Sequence, residues 1–190
     1  MKENIKLGLI LLLITGIAAM LLGGAYEITK APIEKQIAAN RQAAMKEILP
    51  LADRFETADV NIVGNEKIFE VNTGLTGTEI TGYAIKVSPR GYAGPINIMV
   101  GLSTEGKVTG IKILSHTETP GLGANATKPE FSGQYKDKAI KDKLVVVKTA
   151  PSKENQIQAI TGSTITSKAV TLGVNDAIDF YNSSLKGDKK

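Results

Sequence analysis

The sequence predicts an α+β chain: an antiparallel sheet with helices at its ends, preceded by a helix of membrane length. Three observations carry this. Residues Leu7 to Ala25 form 19 consecutive positions without a charge, about 28 Å of helix against a hydrocarbon core of about 30 Å. Three segments between residues 79 and 114 are rich in β-branched residues, and turn residues separate them. The C-terminal segment after Ser163 returns to helical spacing, with Val170, Val174, Ala177, Ile178 and Tyr181 on one face.

The elements follow in order. Residues 1–6 form a short tail containing Lys2 and Lys6, and residues 7–25 are the apolar segment. Two readings of that segment stand. Leu22-Gly23-Gly24-Ala25 offers the small residues of a cleaved signal peptide, but the run exceeds the roughly 7–15 apolar residues usual there, which favours a retained anchor. With no cysteine to acylate, a lipoprotein anchor is excluded. Lysines flank both ends of the segment, and the favoured orientation puts the tail inside and the domain outside. Residues 26–50 read as a linker. Pro32 suits a helix start, Ile33, Ile37, Ala44 and Ile48 recur at helical spacing, and Pro50 stops the helix. Core packing is the favoured use of that apolar face.

Residues 51–190 are then one domain of ordinary size. Asp53 to Gly64 is polar and unperiodic, and Ile68 to Val71 is a short strand. Glu79 to Val87 alternates: Ile80, Gly82, Ala84 and Lys86 oppose Thr81, Tyr83, Ile85 and Val87. Ile96 to Leu102 and Val108 to Leu114 are further strands, joined by a hairpin turn at Thr104-Glu105-Gly106-Lys107, so the three adjacent strands form an antiparallel meander. A loop from Ser115 to Lys128 leads to a short helical piece near Phe131 to Asp137. The continuous Leu144-Val145-Val146-Val147 run predicts a central strand, and Pro151 to Gln158 a loop. The tail Lys186-Gly187-Asp188-Lys189-Lys190 reads as a solvated, frayed end.

Composition narrows the function. Without cysteine there is no disulfide, thiolate catalysis, iron–sulfur cluster or cysteine-linked haem. A single histidine, His116, argues against a zinc site or bis-histidine haem. The net charge of +4 is mild, and 5% aromatics with no tryptophan argue against a single-strand nucleic-acid platform.

Three loops interrupt the regular structure: Arg90-Gly91-Tyr92-Ala93-Gly94-Pro95, His116-Thr117-Glu118-Thr119-Pro120-Gly121-Leu122-Gly123 and Thr161-Gly162-Ser163-Thr164. The third is the most informative. Thr161-Gly162-Ser163-Thr164-Ile165-Thr166-Ser167 packs five hydroxyls around one glycine at the start of a helix. A hydroxyl there is normally a cap, but free N–H groups at a helix start also attract phosphate. Taken singly, each loop also has a plain structural reading as a strand connection, a turn or a cap.

Taken together, the three loops resemble the FMN-binding subunits of the Rnf and Na⁺-translocating quinone reductase complexes, and the G subunit of Rnf complexes most nearly. The resemblance covers nearly the whole chain. The family's flavinylation motif is Ser/Thr-Gly-Ala-Thr with an acidic residue three positions upstream, and residues 161–164 fill its core. Residues 116–123 fit the family's His-x-Glu-Thr-Pro-Gly-Leu-Gly loop, and residues 91–96 its Gly-Tyr-x-Gly-Pro-Ile loop. Two positions depart: Ser163 replaces the usual alanine, and Gln158 stands where the acidic residue is commonest. Both bear on the efficiency of flavin attachment more than on its position.

The resemblance implies a phosphoester between FMN and Thr164, made by a flavin transferase with FAD as donor. Thr161, Gly162 and Ser163 would complete the attachment loop, and Thr166 and Ser167 would add hydroxyl donors. Thr119, Gly121 and Leu122 would form one side of the ring site and Tyr92 the other, while Glu118 would order the second loop with His116. It implies no catalytic residue and no metal. It also implies an electron carrier, inner-membrane-anchored with its FMN domain outside, working with the other subunits of an Rnf-type complex that moves electrons from reduced ferredoxin to NAD⁺ and exports Na⁺ or H⁺. Its expected contacts are those subunits, the transferase and membrane lipid, with no nucleic acid. A free-standing extracytoplasmic flavoprotein is the alternative. A Ser163 or Thr164 hydrolase using His116 is disfavoured, because no Gly-x-Ser-x-Gly elbow is present. A cofactor-free scaffold would lack flavin colour.

Overall fold

The computed structural model describes residues 2–62 and 65–186. The last four residues of the predicted basic tail lie outside them, as do Val63 and Gly64 at the end of the polar stretch. The chain divides into two units, residues 1–41 and 42–190.

The first unit consists of helix. Helix α1 runs from Lys2 to Ile48 and contains a stretch long and apolar enough to cross a membrane. Pro32 lies inside it rather than at its start. Nothing in Tyr26 to Ala31 breaks a helix, and Thr29 bonds back to the Ala25 carbonyl. The proline removes one donor, at an exposed position of the helix. Ile33 and Ile37 are exposed, so the expected core packing of that face holds for Ala44 and Ile48 alone. Only the last turns, at Ala44, Met45 and Ile48, are buried, and these belong to the second unit.

The second unit is built on a five-stranded antiparallel meander. Its strands are β1 (Arg54–Thr57), β2 (Ile68–Thr76), β3 (Glu79–Val87), β4 (Asn97–Ser103) and β5 (Val108–Ser115), paired in sequence order. Alternation sorts the residues between the two faces. Tyr83, Ile85, Val87, Ile98, Val100 and Leu102 enter one cluster with helix α3 (Thr164–Phe180), through Val170, Val174, Ala177 and Ile178. Ala84 and Met99 face the other way, into a smaller cluster with Met45, Ile48, Leu49 and Ala52. On that second face Gly74 pairs with Gly82, and Gly101 with Gly110. A Cβ on Gly82 would stand 2.8 Å from Leu49 Cδ2, and one on Gly101 would stand 3.0 Å from the Ile48 carbonyl oxygen. These glycines let the end of α1 approach the sheet closely.

Several strand expectations change: the strand begun at Ile68 runs past Val71 to Thr76, and the expected loop Pro151 to Gln158 ends in a strand. The Leu144–Val147 run is not central. It forms only β6 (Val145–Val147), paired in parallel with β7 (Gln156–Gln158) in a separate two-stranded sheet. Its anchor is Leu144, whose N–H and C=O both bond the Asn175 side-chain amide on α3, while Val145 stays exposed. The polar stretch after Asp53 contains β1, an edge strand that is solvated and so carries no hydrophobic alternation. The short helical piece is α2 (Pro129–Ser132) followed by a 3₁₀ turn at Gly133–Tyr135. Tyr135, fully buried, hydrogen-bonds Thr171 on α3 over 2.7 Å.

Candidate functional site

The three irregular loops converge at the N-terminus of α3. The third loop is a turn closed by Ser163 N–H donating to the Ile160 carbonyl (2.9 Å), with Gly162 at φ +75°. The second loop makes a similar turn. Leu122 N–H donates to the Thr119 carbonyl (3.2 Å), with Pro120 and then Gly121, also at φ +75°, between them. Proline followed by a glycine of positive φ is what a type II turn requires. The first loop is closed by Gly91 N–H donating to the Gly94 carbonyl (2.7 Å) and Ile96 N–H to the Pro89 carbonyl (2.9 Å).

Glu118 ties the loops together. It is 5% exposed. One carboxylate oxygen accepts the Ala93 N–H from the first loop (2.9 Å), and the other accepts the Thr166 hydroxyl from α3. Its own N–H donates to His116 Nδ1 (3.1 Å), ordering the start of the second loop. Glycine is needed around this carboxylate, since a Cβ at Gly91 or Gly123 would lie 2.5 Å from one of its oxygens.

Between the loops lies a cleft of about 510 Å³, lined by Tyr92, Glu118, Thr119, Leu122, Gly123, and residues 162–166. Tyr92, Leu122 and Ile165 present exposed apolar surface there. Thr164 is half-buried, at the first position of α3. Ser163 precedes it as N-cap residue but makes no side-chain capping bond, and its buried Oγ has no partner. A buried hydroxyl left without a partner costs on the order of 1–3 kcal/mol.

Most residues expected at the site are brought together: Tyr92, Glu118, Thr119, Leu122, Gly162, Ser163, Thr164 and Thr166 all line this cleft. Gly121 shapes its turn without lining the cleft, and Thr161 lines a neighbouring cavity with Gln158 and Gln134. The hydroxyl donors expected from Thr166 and Ser167 are already committed. Thr166 serves Glu118, whereas Ser167 donates to the Ser163 carbonyl and accepts the Ile160 N–H. Ile165 is a lining residue that sequence reasoning missed. Its signal is an apolar residue one position after Thr164, off the face that Val170 and Val174 define.

The RnfG N-terminal region matches residues 1–48, and the FMN-binding domain matches residues 91–179, which include all three loops but Arg90. The chain is 41% identical to the G subunit of the Na(+)-translocating ferredoxin:NAD(+) oxidoreductase complex of Acetobacterium woodii, over 97% of this chain and 95% of that one. The chain belongs to the family of Rnf-complex G subunits. Another member, the G subunit of the proton-translocating ferredoxin:NAD(+) oxidoreductase complex of Clostridium ljungdahlii, is 38% identical over 86% of this chain and 83% of its own. The G subunit of the ion-translocating oxidoreductase complex of Methanosarcina acetivorans is 34% identical, covering 95% and 96%. The fold is also that of the C subunit of the Na(+)-translocating NADH-quinone reductase of Parabacteroides distasonis, with a TM-score of 0.60 at 20% identity, covering 79% of this chain and 94% of that one.

The residues of this Rnf family member suit FMN. The cleft volume lies in the range of cofactor sites, about 300–1,000 Å³. Its apolar rim offers a wall for a flavin ring. The first turn of α3 borders the cleft, and N–H groups at a helix start attract anions.

Proposed function

We propose that this chain is the membrane-anchored electron-transfer subunit of an Rnf-type complex and carries FMN as a phosphoester on Thr164. Residues 7–25 cross the membrane once, residues 26–50 link, and residues 51–190 hold the flavin on the extracytoplasmic side. The complex takes electrons from reduced ferredoxin to NAD⁺ and exports Na⁺ or H⁺, and a flavin transferase loads this chain.

The observation that carries the reading is the position of Thr164. Its side chain lines a cleft that three separate loops build, at the first position of a 17-residue helix. The helix dipole and the unpaired N–H groups of that turn favour negative charge there, so a phosphodiester on this hydroxyl would be stabilised as it forms. Gly162 leaves the hydroxyl approachable, because a side chain at that position would be strained at φ +75° and would press on Leu122. Bound there, FMN supplies a carrier of one or two electrons. Tyr92, Leu122 and Ile165, which line the cleft, would offer its ring an apolar wall and limit water, and Glu118 holds the loops in register. A covalent tether suits a carrier outside the cell, where lost FMN is not readily replaced.

The test is flavin fluorescence of the denatured gel band after co-expression with a flavin transferase. The native chain is expected to fluoresce and Thr164→Val to be dark, since valine keeps the shape and lacks the hydroxyl. Covalent flavin persisting in Thr164→Val would refute the assignment.

A further inference from the structure

Ser163 occupies the N-cap of α3, yet its hydroxyl does not cap. The residue is 6% exposed, and its backbone at φ −133°, ψ 45° leaves Oγ without a partner. The neighbouring acceptors and donors are spoken for. Glu118 receives Ala93 N–H and Thr166 Oγ–H, and the Ser163 carbonyl receives both Ser167 N–H and Ser167 Oγ–H. Thr171 donates to the Ser167 carbonyl, so the proton it shares with Tyr135 comes from the tyrosine. That leaves Ser163, among the described residues lining the cleft, as the one whose buried hydroxyl has a proton to give and no protein atom receiving it.

Its place in the cleft says what would receive that proton. Ser163 lines the same wall as Thr164, at the helix end where anions are favoured. We propose that Ser163 Oγ–H donates a hydrogen bond to a phosphate oxygen of the flavin phosphoester on Thr164. Ser163 is thereby a positioning residue that holds the phosphate against the first turn of α3. The inference rests on the reading of Thr164 as the attachment residue. It gives a role to the position where this chain departs from the motif's usual alanine. An alanine at this position would have no hydroxyl to offer the phosphate.

The experiment is ³¹P NMR of the full chain, flavin-loaded by the transferase and held in detergent. The native chain, Ser163→Ala and Thr109→Val are compared. Thr109 carries the other unpartnered buried hydroxyl among the described residues and lines a different cavity, so it controls for loss of a hydroxyl as such. The ³¹P resonance is expected to move by more than its line width in Ser163→Ala and to stay in place in Thr109→Val. In apo Thr164→Val, which cannot be loaded, Ser163→Ala is expected to weaken binding of free FMN about tenfold, the equivalent of one hydrogen bond to a charged group. A loaded Ser163→Ala with an unmoved resonance overturns this inference and leaves the Thr164 assignment standing. A native chain that stays unloaded beside an active transferase overturns both.

Discussion

Removing the Glu118 carboxylate is expected to loosen the site before it affects any other part of the domain. Glu118→Ala deletes two hydrogen bonds to a charged group, each contributing about 1.5–3 kcal/mol. The two donors left behind differ. Ala93 is exposed, so its amide recovers water and its bond counts at the low end. Thr166 is 2% exposed, so its hydroxyl is stranded. The carboxylate's own desolvation is relieved, which offsets part of the loss. The net cost is about 3 kcal/mol, which lowers the thermal midpoint of a domain this size by about 6–12 °C. Glu118→Gln keeps one acceptor oxygen and the shape and is expected to lose about 1 kcal/mol. Circular dichroism on heating reads the midpoint, and amide hydrogen exchange reads the Ala93 N–H, whose protection is expected to vanish in Glu118→Ala. A midpoint within about 2 °C of the native chain, with Ala93 still protected, would show that Glu118 does not hold the loops together.

Two further outcomes are expected. Leu122→Ala should leave flavin attached but more exposed to solvent and with an altered potential, because Leu122 forms the exposed lip of the cleft beside Gly162; an unchanged absorption spectrum and potential would remove residue 122 from the ring wall. Tyr135 is held well above the ordinary tyrosine range by burial. The folded chain therefore keeps the proton where an unfolded tyrosine loses it, so this contribution is complete below about pH 10 and declines above it, by about 1.4 kcal/mol per pH unit. Tyr135→Phe should cost about 1 kcal/mol at neutral pH and flatten that alkaline decline by one proton in urea titrations. An alkaline slope equal to the native one would count against the buried, protonated tyrosine.

The parts of the fold that local pattern controls were legible in the sequence. Strand β3 has its predicted bounds, because alternation between Tyr83, Ile85, Val87 and Gly82, Ala84 reports two differently covered faces. The closing helix was legible from Val170, Val174, Ala177 and Ile178, and the membrane-length segment from its lack of charge. The three loops declared themselves through glycine, proline and hydroxyl residues that fit no regular period. Local pattern failed where a segment's partner lies far along the chain. Leu144–Val147 has the composition of a central strand, but the meander's neighbours were already adjacent in sequence, and Asn175, 31 residues away, captured Leu144. Strand β1 stays invisible because a solvated edge needs no apolar alternation.

The sequence by itself determined the two-faced meander, the closing helix and the chemical identity of the loops. These follow from side-chain periodicity and from the backbone angles that glycine and proline permit. Only the tertiary structure decided which hydroxyls in the 161–167 segment are free. Thr166 and Ser167 look as available as Ser163 and Thr164 in the sequence. Folding spends the first pair on Glu118 and on the Ser163 carbonyl and leaves Ser163 Oγ buried without a partner, while Thr164 stays at the cleft surface. A hydrogen bond depends on which distant donor or acceptor arrives within reach, and residue spacing along the chain carries no record of that.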